Sequence, residues 1–192
     1  NTTTLGRIGR GFMYADWKSQ VAYSSPNWNG FSFTAGLTQA WNGSGNTSRG
    51  GSETAYEGKA SYAWAGDFAG KVWVSGISQD VEALTVGGDD SATAFDIGAN
   101  VNVAGFGLTA YYGDGDGIGQ TFQLNGGFDA AGKSRDSDQW YLQGTYTLPG
   151  VGTKIATSYG ESTLEINSVD GGGDNTSDMW TVGVYHPITK HL

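Results

Sequence analysis

The side chains best placed to act on a solute recur at every second position of short segments. They are Lys18 and Gln20, Glu57 and Lys59, Asp96, Asn100 and Asn102, Tyr141 and Gln143, and Lys154. In the cleanest stretch Phe95, Ile97, Ala99, Val101 and Val103 alternate with Asp96, Gly98, Asn100 and Asn102. Polar groups spaced among small ones replace the hydration of a passing solute without holding it, provided that they face water. Two surroundings offer that water: a hydrated lumen, or the solvated outer face of a soluble sandwich. The first is favoured if the other face meets lipid, where a lysine or arginine at mid-bilayer costs about 2–4 kcal/mol.

Other chemistry has little support. His186 and His191 flank a turn without an HExxH context, and there is no nucleophile elbow, Walker loop or dinucleotide fingerprint. No enzyme and no cofactor are expected. The chain has no cysteine, which removes disulfides and thiolate metal sites. Asp114-Gly115-Asp116-Gly117 and Asp170-Gly171-Gly172-Gly173-Asp174 invite a calcium reading but lack the EF-hand order of ligands, so no metal site is expected. With 19 acidic residues against 10 basic ones, nucleic acid is an improbable partner. Fourteen of those acids fall within 80–93, 114–138 and 161–178. There they either draw cations, including divalent ions that bridge to lipopolysaccharide, or simply keep loops solvated.

The elements that position these residues are short strands. Thirty-three glycines, 3 prolines and 13% aromatics suit many strands joined by turns. No apolar run approaches the roughly 20 residues of a membrane helix, whereas a barrel strand needs only about 10, half of them apolar. Period-2 alternation places strands at 31–37, 56–64, 95–103, 106–112 and 139–148, with weaker ones near 18–25, 71–79, 153–160 and 179–186. In 71–79 the faces are ambiguous, because Val72 and Val74 compete with Trp73 and Ile77. Tight connections at 26–30, 66–70, 104–105, 149–152 and 187–190 alternate with long polar ones near 42–54, 80–93, 113–138 and 161–178. A membrane barrel keeps one end short in this way; a soluble sandwich has no reason to.

The aromatics follow the same division. Trp28, Phe31, Trp64, Phe68, Phe106, Tyr146 and Tyr185 stand at short-turn ends, and Trp41, Tyr56, Phe95, Tyr112, Trp140, Tyr159 and Trp180 at long-loop ends. Two rings at headgroup depth would result, since such side chains have an apolar body and, in Trp and Tyr, a polar tip. Cross-strand packing in a soluble β-protein also favours aromatics, but not their position at both strand ends.

Two segments then resemble the Gram-negative general porins: Lys18-Ser19-Gln20-Val21-Ala22-Tyr23-Ser24-Ser25-Pro26-Asn27-Trp28-Asn29-Gly30-Phe31-Ser32-Phe33 and Trp180-Thr181-Val182-Gly183-Val184-Tyr185-His186-Pro187-Ile188-Thr189-Lys190. The resemblance implies an all-β fold, an antiparallel transmembrane β-barrel of about 16 strands, of which this chain would supply nine or ten. Residues 1–192 would form one barrel domain, incomplete at both ends: Asn1-Thr2-Thr3-Thr4 carries no leader features, and the last residues read as a turn entering another strand. It also implies a homotrimer in the bacterial outer membrane, in contact with lipid and lipopolysaccharide, that passes ions and small hydrophilic solutes passively. The family's acidic constriction loop would mostly precede Asn1, with Thr4–Arg10 at its trailing end. Where the family often has arginine in its basic ladder this chain has Ala22, and Arg7, Arg10 and Lys18 are candidates to replace it. The rivals are a soluble or secreted carbohydrate-binding sandwich and a surface-assembling β-protein whose edge strands pair between chains.

Overall fold

A chain with this alternation can satisfy its backbone groups only by pairing strand with strand, and the described residues do so. The computed structural model describes residues 19–40, 53–84, 88–120, 126–167, 169 and 171–188. These form nine strands: β1 (Gln20–Ser24), β2 (Phe31–Gln39), β3 (Thr54–Trp64), β4 (Phe68–Leu84), β5 (Gly88–Val103), β6 (Phe106–Asp116), β7 (Asp136–Thr147), β8 (Lys154–Leu164) and β9 (Asn175–Tyr185). Each pairs antiparallel with the next in a single sheet ordered β1 to β9. The protein is all-β, one wall of an antiparallel barrel, with no helix among the described residues. All nine strands expected from the alternation are present.

The short connections are set by local backbone geometry. Between β5 and β6 only Ala104 and Gly105 intervene, both at positive φ (48° and 84°). Asn29 and Gly30 repeat this geometry at φ 51° and 100°, and Trp28 and Phe31 exchange backbone hydrogen bonds across them at 2.8 and 3.1 Å. Two consecutive left-handed residues match the twist of the flanking strands, which fixes their register.

The long-loop side differs from expectation. Most of the segment 80–93 is strand: β4 runs to Leu84 and β5 starts at Gly88, so the two strands extend well beyond their neighbours. Likewise β6 reaches Asp116, β7 begins at Asp136, β8 continues to Leu164 and β9 starts at Asn175. The long connections shrink to 117–135 and 165–174, and that between β2 and β3 lies almost wholly outside the described residues.

The register separates two faces. Leu37↔Tyr56, Ala60↔Val74↔Ile97↔Tyr112↔Trp140 and Leu142↔Tyr159↔Trp180 share one face. It is apolar yet exposed: Leu142 is 48% and Val182 74% accessible. The opposite face is polar, exposed at Lys59, Lys71 and Asn102 but buried toward the loop end, where Gln139 and Ser162 are fully covered. In water this inside-out wall would leave its apolar side unsatisfied; against lipid it does not. The pairing also settles 71–79. Val72 and Val74 take the apolar face, and Lys71, Trp73, Ser75 and Ile77 the polar one.

Above the loop-end aromatics the polarity inverts. Asp114, Asp138, Glu161 and Asp178 continue the outward face. On the inward face Val81, Ala92 and Ala94 form a small core with Ile118 and Phe128 of the β6–β7 loop. An arginine at Leu142 is expected to destabilise the folded full-length protein by about 2–4 kcal/mol, whereas Thr109→Arg on the other face still folds. The folded fraction on unheated detergent gels, titrated with urea, reads the difference.

Candidate solute-facing wall

The polar face is built of register rows, each crossing several strands at one height. One row runs Lys59↔Ser75↔Asp96↔Gly113↔Gln139↔Ser162. The next toward the short turns runs Ser61↔Trp73↔Gly98↔Tyr111↔Tyr141↔Gly160. Below it lie Lys71↔Asn100↔Thr109↔Gln143↔Ser158. Thus Gln20, Glu57, Lys59, Asp96, Asn100, Asn102, Tyr141, Gln143 and Lys154, chosen by alternation alone, all fall on one face. Ala22 is on this face too, opposite Gly36. Arg7, Arg10 and Lys18 lie outside the described residues.

Neighbouring rows are knitted by side-chain contacts. The Asn100 amide donates to Thr109 Oγ1 at 2.8 Å, and the Asn102 amide donates to Asn100 Oδ1. Tyr111 donates to Asp96 Oδ2 at 3.5 Å and stacks on Tyr141 with centroids 5.3 Å apart and planes 13° apart. Lys59 Nζ stands 5.9 Å from the Trp73 ring centre. Alternation left 71–79 undecided, so Lys71 and Trp73 were missed as wall residues; their signal was present in the valines at 72 and 74, whose branched side chains suit the apolar face. Tyr111 alternates with Ala110 and Tyr112 and falls on the polar face, though it was not among the candidates.

The aromatic belts lie mostly on the other face. Trp28–Phe31, Trp64–Phe68 and Phe106–Tyr146 pair at the short-turn end, with centroids 6.3, 6.2 and 4.3 Å apart. Phe95–Tyr112 and Trp140–Tyr159–Trp180 line the loop end, with Tyr56 beside them in sequence height. Six residues separate Phe106 from Tyr112, about 20 Å along the strand. Tyr185 does not join the short-turn belt: it pairs with Lys154 and so takes the polar face. The reason is parity, since Val182 and Val184 occupy the lipid-side positions of β9. Trp41 lies outside the described residues.

At the loop end the β6–β7 connection turns in over the polar face. Gln120 Nε2 donates to the backbone carbonyls of Ser162 (2.7 Å) and Asn175 (2.8 Å), tying the loop across to β8 and β9. Asp129 closes the loop: Oδ1 accepts from the backbone N–H groups of Ala131 and Lys133 at 2.8 Å, and Oδ2 from the Asn167 amide at 2.7 Å. Burial alone would raise the Asp129 carboxyl, but these donors, with Arg135 nearby, outweigh it and hold it below the usual carboxylate range.

No group of three or more His, Cys, Asp or Glu side chains is placed to hold a metal ion among the described residues. His186 Nδ1 shares a hydrogen bond of 2.7 Å with Thr153 Oγ1 beside a short turn. A family model described as Gram-negative porin matches residues 1–192. No curated protein matches the chain significantly.

A carboxylate with a depressed pKa stabilises the fold above its unfolded value, near 3.9, and that stability is lost as pH falls through the lower folded value. Protection of the Ala131 and Lys133 amides, taken relative to their intrinsic exchange rates, is therefore expected to be high at neutral pH and to fall below about pH 4. In Asp129→Ala it is low throughout. Protection that stays high in the variant would remove the carboxylate from this role.

Proposed function

This chain belongs to the Gram-negative porin family, and on that premise we propose that it is a passive diffusion channel for ions and small hydrophilic solutes. The family places it in the bacterial outer membrane. One observation supports the channel reading above the rest: a polar face and an apolar, exposed one share the same strands, and aromatic belts bound the apolar face at both ends. A solute on the polar side meets amides, hydroxyls and isolated charges, which substitute for its hydration and release it again. No energy source or covalent step enters, so the activity is permeation and not catalysis.

In this reading residues 1–192 are part of a single closed barrel of about 16 strands, in which β1 and β9 pair with further strands. The barrel assembles as a homotrimer, its outward face against lipid and lipopolysaccharide. The residues lining its water-filled interior are those of the polar face, with Arg7, Arg10 and Lys18 as further candidates. Lys59 and Lys71 supply positive charge to that interior, set against Glu57 and Asp96 on the same face.

Full-length protein added to a planar bilayer is expected to give stepwise, ohmic conductance in groups of three; a silent bilayer would refute the channel. Lys59→Glu combined with Lys71→Glu should move the reversal potential in a salt gradient toward cation selectivity.

A further inference from the structure

Aromatic side chains are expected on the lipid face of such a wall, yet three occupy the middle of its polar face. Trp73, Tyr111 and Tyr141 share one register row on β4, β6 and β7. Among the described strand residues the only other aromatic on that face is Tyr185, far below at the short-turn end. Each of the three is half-buried, so part of its apolar surface faces the interior.

A glycine of the same row sets the course of the first ring. A Cβ at Gly98 would collide with the Trp73 ring. The absence of a side chain there lets Trp73 lie down along the wall instead of standing out from it. Tyr111 and Tyr141, nearly coplanar in their stack, continue the strip.

Hydrogen-bonding rows border the strip on both sides: Ser75 and Asp96 above, Asn100, Thr109 and Gln143 below. An apolar strip between polar margins fits a molecule with flat C–H faces and a rim of hydroxyls. The nearby charges balance, with Lys59 and Lys71 against Glu57 and Asp96. No net charge therefore selects an ion, and Lys59 already stands near the Trp73 ring, where a second cation would be repelled.

We propose that the Trp73–Tyr111–Tyr141 row is a binding strip for neutral saccharide rings, over which pyranose units stack as they pass. This rests on the channel reading above and adds a preference to it. The strip speeds entry of ring sugars at low concentration by holding them weakly, without stopping their release.

The test uses the full-length protein in planar bilayers, with maltotriose and a polyethylene glycol of equal mass as probes. Maltotriose is expected to reduce the current reversibly and saturably, and the polymer to do so only at much higher concentration. Trp73→Ala and, separately, Tyr141→Ala should raise the half-blocking maltotriose concentration about tenfold, with Trp73→Phe restoring most of the block. Conductance steps in each variant show that it has folded. Absence of steps in the unaltered protein would overturn the channel itself. Normal steps with equal block by both probes, or with block unchanged in Trp73→Ala and Tyr141→Ala, would overturn the strip alone.

Discussion

Inside a bilayer no water replaces a lost backbone hydrogen bond, and every other property of this wall depends on meeting that constraint. The uninterrupted ladder from β1 to β9 meets it. Once the strands must pair continuously, the pleat assigns each residue to a face, and the sequence can only decide what each face carries. The aromatic belts, the polar interior and the bordered strip are all choices made within that fixed parity.

The boundary of the apolar band is drawn by reversal of polarity and not by the end of the strands. Past the Tyr112–Trp140 belt the ladder continues, but carboxylates turn outward while Val81, Ala92 and Ala94 turn inward under Ile118 and Phe128. In the channel reading the same backbone thus serves two solvents: lipid outside and water inside at mid-height, then water outside and a small apolar core inside above it. The loop tied down by Gln120 and Asp129 is what makes an apolar interior possible at that level.

This reversal also explains what the sequence left hidden. Strand positions and the polar face were legible wherever apolar and polar residues alternated, as in 95–103 and 139–148. The extensions of β4 and β5 were not, because Asp80, Glu82 and Asp90 read as a solvated loop when their partners in space are out of view. Trp73 was obscured for a related reason: an aromatic residue on the water side breaks the rule that marks faces, and only pairing with Gly98 and Ser61 assigns it. Tyr185 shows the reverse, where position at a strand end suggested a belt but parity placed it inward. The inward course of the β6–β7 loop depends on contacts between residues 42 and 55 positions apart, which no local pattern encodes.

The two-residue turn at Ala104–Gly105 has a consequence for how such a chain can change over generations. One inserted or deleted residue there would exchange the faces of β6 until a bulge or the long β6–β7 connection restored phase, turning Thr109 toward lipid and Leu108 toward water. On that side, then, the gene can drift by substitution but hardly by length. The opposite side, where long connections absorb odd and even changes alike, is left free to lengthen, shorten and diversify.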